Sequence, residues 1–343
     1  MMRAALIGLG MVADMHATAV RETQGKVELC GVMARNADKA RAFADKFGGL
    51  KAYDSLETLI HDQPDFVILA TPPDARLTYV ERLAKAGIPL LMEKPIERDA
   101  AQAKRVVEIY EAADLAFGVV LQHRMRPAAQ EMMRIVQTGT LGDIATVELR
   151  IPWWRDQSYY DAPGRGTIAR DGGGVLITQA IHQIDLMIQL CGPVAHVVGL
   201  TKTSPLHQME AEDFAGAVLN FASGAIGTLV ASVTHYPGGS EMLVLNGTHG
   251  TATLSADSLV VQMHGKEPKS FGQEKADTGG GADPMAFSHA WHQSVIEDFA
   301  DAIQHNRMPS ITGRSALSAH ALIDAIHASS KSGRNIPVEP TDV

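Results

Sequence analysis

Residues 3–13 read RAALIGLGMVA. A short apolar run from Arg3 to Leu9 carries the chain into Gly8, Gly10 and Ala13, spaced as GxGxxA, and a helical pattern follows from Met11 to Arg21. The order is strand, tight turn, helix. The first glycine permits the turn, the second lets the backbone approach a pyrophosphate, and the small third residue lets the helix pack on the strand. Gly8, Gly10, Met11 and Val12 are therefore the expected phosphate loop, with amides of the helix N-terminus facing the phosphates. A bare glycine turn would look the same in isolation. Here a second apolar strand, Val27 to Met33, and a helix from Asn36 to about Phe47 complete the βαβ unit that the fingerprint requires.

An acidic residue usually closes the second strand of such a unit and holds the ribose hydroxyls. This chain has Ala34, Arg35 and Asn36 there, with no carboxylate. A small residue followed by a guanidinium leaves room and charge for a 2′-phosphate, so NADP is expected to be accepted as well as NAD. The other reading is a solvated Arg35 and loose NAD binding. Alternation continues through strand Asp65 to Thr71, the turn Thr71, Pro72, Pro73, a helix Asp74 to Ala86 and strand Pro89 to Met92, a doubly wound parallel sheet. Ligands of such sheets sit at the carboxyl ends of the strands, which puts Thr71, Pro72 and the turn Glu93, Lys94, Pro95 on the cofactor side. Lys94 lies between a buried strand and a proline, where its ammonium can point into a cleft; taken alone, a strand-end lysine is more often a solvated charge.

The whole chain has 343 residues, enough for two domains, with 45% hydrophobic and 20% charged residues, a globular balance. A net charge of −9 without a Lys/Arg cluster argues against a nucleic-acid partner. Cys30 and Cys191 lie in apolar runs and read as reduced structural thiols. The N-terminal apolar run is too short for a signal segment, and no stretch of about 18 uninterrupted apolar residues occurs, so no membrane partner and a cytoplasmic location are expected.

GLGMVA at 8–13, ATPPDAR at 70–76, EKP at 93–95 and GGGVLITQAIHQID at 172–185 together resemble the Gfo/Idh/MocA oxidoreductase family. WHQSVIEDFADAI at 291–303 and a helix near 314–332 resemble its usual ending. The resemblance implies a Rossmann domain, 1–122, and a catalytic domain, 123–343, built on a large, mostly antiparallel open sheet, with nicotinamide held between them. It places hydride-transfer chemistry on Lys94, acid–base chemistry on His182, and support of the histidine or substrate on Asp185. It also implies a homodimer or homotetramer. Two positions depart from the pattern. Thr178 stands where inositol dehydrogenases carry an aspartate, so a Lys, Asp, His triad is incomplete and inositol is a less favoured substrate. Arg76 replaces the histidine many relatives carry after the TPP turn, with little consequence expected.

The second motif reads as a helix from Val175 until Gly192 and Pro193 end it. Ile177, Ile181, Ile184 and Ile188 form a buried stripe, and Thr178, His182, Asp185 and Gln189 a polar stripe beside it, the pattern of a cleft wall. A hydrogen-bonded core histidine capped by Asp185 is the alternative. Fourteen histidines raise the question of metal, but no HExxH, CxxC or i, i+4 histidine pair occurs, and no metal is assigned.

From Ile144 the pattern changes to short β-like runs: Thr146 to Ile151, Phe214 to Phe221, Ala225 to Val233 and Glu241 to Leu245. A long loop after the first of these carries Trp153, Trp154, Arg155, Tyr159, Tyr160 and Arg165. Aromatic faces and arginine forks suit a polar ring substrate bearing an anionic group, and an oligomer contact explains them nearly as well. WRDQSYY at 154–160 resembles the W-R-x-x-x-Y-Y stretch of relatives that oxidise nucleotide-linked or modified sugars. Trp154, Arg155, Tyr159, Tyr160, Arg165, Thr178 and His182 are thus the expected substrate residues, for a sugar, sugar acid or sugar derivative. The glycine-rich stretch Ser270 to Ala282 reads as a mobile cover or interface arm. The rival functions are a dinucleotide sensor without catalysis and an enzyme that uses its cofactor transiently, as in elimination or glycoside cleavage.

Overall fold

The computed structural model describes residues 1–272, 281 and 287–341, which form two compact units. Most of the stretch 270–282 discussed above thus lies outside the described residues; its start, Lys269–Gly272, is a strand.

The first unit comprises residues 1–97, 101–122 and 288–316. Its chain runs β1 (Met2–Ile7), α1 (Ala13–Arg21), β2 (Val27–Met33), α2 (Ala37–Lys46), β3 (Lys51–Ala52), α3 (Leu56–His61), β4 (Phe66–Leu69), α4 (Leu77–Lys85), β5 (Leu90–Glu93), α5 (Ala100–Ala112) and β6 (Phe117–Val120). All six strands are parallel, in the order β3-β2-β1-β4-β5-β6. β4, β5 and β6 are buried at every residue, as strands covered on both faces must be. The chain order reverses between β1 and β4, and such a switch point opens the ligand crevice at the strands' carboxyl ends. The helix expected from Asp74 starts later, at Leu77, because the prolines first form a 3₁₀ turn, Pro73–Ala75.

A single division at 122/123 assigns 288–316 to the second domain, whereas in the structure this segment packs on the parallel sheet. Phe299, from the helix Ala290–Gln304, meets Phe66 edge-on at 5.4 Å, and a Cβ on Gly118 would stand 2.7 Å from its ring. The Val119 amide donates to the Ile311 carbonyl at 3.2 Å. Long-range packing of this kind leaves no mark in local periodicity.

The second unit comprises 98–100, 123–287 and 317–343. It contains α6 (Pro127–Gln137), β7 (Ile144–Pro152), two short helices α7 (Gln157–Tyr160) and α8 (Ile168–Asp171), a π-helical turn at Leu176–Ala180, and α9 (Ile181–Cys191). β8 (Val194–Lys202), β9 (Phe214–Phe221), β10 (Ile226–Ser232), β11 (Met242–Gly247), β12 (Gly250–Ser255), β13 (Ser258–Met263), β14 (Lys269–Gly272) and β15 (Ile336–Pro337) follow. The nine-stranded sheet runs β14-β13-β12-β11-β7-β10-β9-β8-β15, antiparallel except for β7 beside β10. One face carries Leu149, Leu219, Leu229 and Leu245 into a core with Met132 of α6, Ile184 of α9 and Leu322 of the helix Gly313–Ser332. The opposite face exposes Val198, Leu200, Val218, Ile226 and Val230 on three adjacent strands. The loop expected after β7 is partly ordered into α7 and α8.

Candidate active site

In the first unit, Gly8 has φ +97°, and a Cβ there would stand 2.7 Å from the Ala70–Thr71 peptide. Only glycine fits that approach of the β1 and β4 termini. Gly10 faces open space, with nothing within 4 Å of where its Cβ would be. No side chain caps α1 at Val12, so the turn and helix amides stay available to an anion, while Ala13, 1% exposed, packs inward. Gly8, Gly10, Met11 and Val12 thus form a loop that fits a dinucleotide pyrophosphate. At the end of β2, Ala34 is half-buried and Arg35 exposed, with no hydrogen bond or ion pair among the described residues. The Asn36 side chain is committed elsewhere: it caps α2, accepting from the Lys39 amide at 3.0 Å.

The turn after β4 and the turn after β5 are tied together by Arg76. Its side chain is buried, and its guanidinium donates to the carbonyls of Thr71 at 2.7 and 2.9 Å, of Glu93 at 2.6 Å, and of Pro95. Burial pushes its pKa down to about 10, which leaves it a cation at neutral pH. The small consequence expected of Arg76 is corrected here: carbonyl dipoles of both candidate cofactor turns converge on it, and a strand-to-helix position in sequence gives no hint of that. Thr71, Pro72 and Lys94 are half-buried at these turns.

Glu93 points inward. Its Oε1 meets His16 Nε2 of α1 at 2.8 Å and His292 Nε2 of the helix Ala290–Gln304 at 3.6 Å, and its Oε2 accepts the Lys94 amide at 3.1 Å. Burial alone would raise this carboxyl, but hydrogen bonds from the two imidazoles hold it well below the usual carboxylate range. Burial lowers the pKa of His292, more than Glu93 raises it. These three side chains come from positions 16, 93 and 292. No sequence motif links them; only the parallel sheet and the returning segment do.

In the second unit, the GGG motif is dictated by packing. A Cβ on Gly174 would stand 1.7 Å from the Glu212 carbonyl oxygen. The Glu212 carboxylate then accepts from the amides of Gly174 at 3.0 Å and Leu176 at 3.1 Å, supplying the N-terminal cap that the motif itself lacks. The Thr178 hydroxyl donates to the Gly174 carbonyl at 2.6 Å. Residues 176–180 form a π turn, so regular α-helix begins only at Ile181, not at Val175. α9 is buried at every residue except Gln189.

His182 is 6% exposed and stacks on His123 at 4.6 Å, with 25° between the rings. Arg124 grips both oxygens of Asp185, with Nε at 2.6 Å. Gln183, Arg126 and Glu241, none of them singled out as site residues in sequence, form with Trp153 a buried network around His123. Gln183 Nε2 lies 2.9 Å from both His123 Nδ1 and Glu241 Oε1; Arg126 donates to Glu241 at 2.6 Å and lies 2.5 Å from His123 Nε2; and Trp153 Nε1 donates to Glu241 at 3.3 Å. The charged run QHRMRP directly after an apolar strand was the available signal.

The aromatic segment divides by burial. Arg155 and Tyr160 are interior, Arg155 donating to the carbonyls of Trp154 and Gly281 at 2.7 Å each and Tyr160 lying edge-on to His207 at 5.0 Å. Trp154, Tyr159 and Arg165 are half-buried, with the Arg165 guanidinium 4.2 Å from the centre of the Tyr159 ring. Trp154 meets Tyr236 edge-on at 5.4 Å.

A parallel sheet in this strand order, a glycine loop open to a phosphate and an uncapped helix behind it define a dinucleotide-binding oxidoreductase. Residues 2–121 match the oxidoreductase family with NAD-binding Rossmann fold, and residues 129–253 match the GFO/IDH/MocA C-terminal domain; the chain belongs to the GFO/IDH/MocA family. It is 25% identical to the D-apiose dehydrogenase of Paraburkholderia graminis over 98% of this chain and 90% of that one. It is 26% identical to the inositol 2-dehydrogenase of Rhizobium meliloti, over 98% and 99% of the two chains. Among solved structures, the WlbA dehydrogenase of Bordetella pertussis in complex with NADH and UDP-GlcNAcA superposes with a TM-score of 0.84, at 26% identity and 99% coverage of both chains. Among the described residues, no helix is long and apolar enough to cross a membrane.

Proposed function

We propose that the protein is an NAD(P)-dependent dehydrogenase acting on a secondary alcohol of a sugar, sugar acid or sugar derivative. The observation that carries this reading is Lys94, half-exposed at the carboxyl end of a buried strand while the main chain on either side of it is pinned by Glu93 and Arg76. A lysine held in that way at the ligand end of a parallel sheet is fitted to chemistry rather than solvation. The nicotinamide, when bound, accepts the hydride from the alcohol carbon. Gly8, Gly10, Met11 and Val12 hold the pyrophosphate, and Arg35 meets a 2′-phosphate, so that NADP is accepted with NAD. His182 takes the hydroxyl proton as an imidazole general base. Lys94 supplies a donor that stabilises developing alkoxide charge. Arg124 holds Asp185, and Asp185 in turn fixes the turn of α9 that bears His182. Trp154, Tyr159 and Arg165 supply an aromatic face and a cation for a substituted ring.

The sheet face bearing Val198, Leu200, Val218, Ile226 and Val230 is read as the surface that meets a second copy of the chain, since Val198 lies opposite Val218 and Leu200 and Val230 flank Gly216 in register. Light scattering on Val218→Lys tests it: a shift to monomer is expected. The activity is tested by following nicotinamide reduction with NAD or NADP over free sugars, sugar acids, polyols and nucleotide-sugars, beside Lys94→Ala. Reduction by the wild type alone is expected; silence with every alcohol would refute the reading.

A further inference from the structure

We infer that His16 and His292, acting through Glu93, are positioning residues for Lys94. The inference rests on the reading of Lys94 as the group that meets the reacting oxygen. Glu93 divides its carboxylate between two tasks: Oε1 takes the imidazoles, at 2.8 Å from His16 and 3.6 Å from His292, while Oε2 takes the Lys94 amide at 3.1 Å. His16, Glu93 and His292 are 0%, 5% and 2% exposed. Water therefore cannot replace any of them as a partner. The rings of His16 and His292 also meet each other edge-on at 5.1 Å, so neither can swing away from the carboxylate without displacing the other. On the opposite side of the same peptide, Arg76 holds the Glu93 carbonyl at 2.6 Å and the Pro95 carbonyl. Lys94 thus rises from a main chain gripped through the carboxylate before it and the carbonyls on either side.

The arrangement also connects the two ends of the candidate cofactor site. His16 lies on α1, directly behind the phosphate loop, and His292 lies on the helix Ala290–Gln304. A shift of α1 would pull on Glu93 and so on Lys94. Two histidines and a glutamate with ligand atoms all within 4.8 Å of one another also have the composition of a metal set. The hydrogen bonding favours the other role. A histidine that binds metal through one nitrogen donates the opposite N–H to an acceptor, and the His16 Nδ1 is buried with no hydrogen-bond partner. The tautomer that satisfies the site has the proton on Nε2, facing Glu93, as assigned from that contact.

The test reads Lys94 directly. Trace acylation of lysines in the full-length protein, quantified at Lys94 by mass spectrometry from about pH 6 to about pH 11, brackets the ordinary lysine pKa of about 10.4 and needs no substrate. His16→Leu and His292→Leu remove the donors; His292→Gln keeps an N–H near the place of Nε2. The Leu variants are expected to change Lys94 labelling by about threefold or more and to lower kcat by about tenfold to a hundredfold, the cost of misplacing a reacting group by about an ångström. Dinucleotide affinity should stay within about threefold of wild type, and His292→Gln should restore most of both losses. Unchanged labelling and kcat in both Leu variants would overturn the inference, even if their melting temperatures fell. Equal losses in His292→Gln and His292→Leu would reduce the cluster to packing and overturn it too. So would one equivalent of divalent metal in the purified protein that is lost in Glu93→Gln. If His16→Leu does not fold, the His292 pair decides. A wild type inactive on every alcohol, whose Lys94 labelling still responds to these variants, would refute the proposed activity and leave the positioning intact.

Discussion

Replacing Arg76 with leucine removes one guanidinium from under two turns. Three carbonyls, those of Thr71, Glu93 and Pro95, lose a charged donor, and hydrogen bonds to charged groups contribute about 1.5–3 kcal/mol each. That is a gross loss of about 5–9 kcal/mol. Against it stands the cost of burying the cation, which lowers the pKa from 12.5 to about 10 and is equivalent to roughly 3 kcal/mol that the substitution recovers. The net expectation is a destabilisation of about 2–6 kcal/mol. At about 2–4 °C per kcal/mol for a unit of this size, differential scanning calorimetry should show the melting temperature falling by about 4 °C at the least. Arg76→Lys should recover little, because one ammonium on a flexible stem cannot span the Thr71 carbonyl and the Glu93 carbonyl together. Dinucleotide binding should weaken in both variants, since both turns at the ligand end of the sheet are released. An Arg76→Leu protein melting within about 2 °C of wild type would refute the reasoning, because carbonyl convergence would then contribute nothing to the fold.

Gly10→Ala and Gly174→Ala should separate function from packing: the first has open space and is expected to keep the wild-type melting temperature while weakening NADH binding, read by fluorescence titration. The second drives a Cβ to 1.7 Å from the Glu212 carbonyl and is expected to cost about 3 kcal/mol or more. Arg35→Ala should lower the NADP-to-NAD ratio of kcat/KM by about tenfold, the loss of one exposed charge-assisted contact; an unchanged ratio would remove Arg35 from the cofactor site. The depressed pKa of His292 carries a pH signature. The unfolded histidine takes up a proton below about pH 6.5 while the folded one stays neutral, so the unfolded state binds more protons and stability falls as pH drops through that region. Calorimetry near pH 7 and near pH 5.5 should show this decline, and His292→Gln should flatten it. The low-lying Glu93 carboxyl acts in the same direction at more acid pH, its contribution present above about 4.3 and lost as pH falls further.

The parallel sheet was legible because each part of it is local. Gly8 and Gly10, the apolar runs of β1 and β2 and the helix between them lie within about thirty residues, and the spacing alone states strand, turn and helix. The same holds for the paired glycines and apolar stripe that announce α9. Local signals faltered where long-range packing shaped the backbone: a π turn at Leu176–Ala180 stands where periodicity predicts α-helix, and the carboxylate that caps this turn comes from Glu212, 36 residues further along. Charge pairing was less legible still. Asp185 is gripped by Arg124, from a position 61 residues earlier, and no spacing announces that pair. Arg76 was read as incidental, yet it lies beneath both turns. His16 lies in no motif, and His292 stands within WHQSVIEDFADAI, a stretch that assigns it no role.

What the sequence determined by itself was the class of fold, the dinucleotide loop and the two residues, Lys94 and His182, on which the chemistry is proposed to rest. Each of these is written in spacing and residue type over a few turns of chain. The tertiary structure alone decided what holds them: a glutamate between two histidines from distant parts of the chain, an arginine under the carbonyls of Thr71, Glu93 and Pro95, a segment at 288–316 returned to the first sheet. Buried polar groups must find partners wherever the packing brings them, and packing joins residues without regard to their distance in sequence.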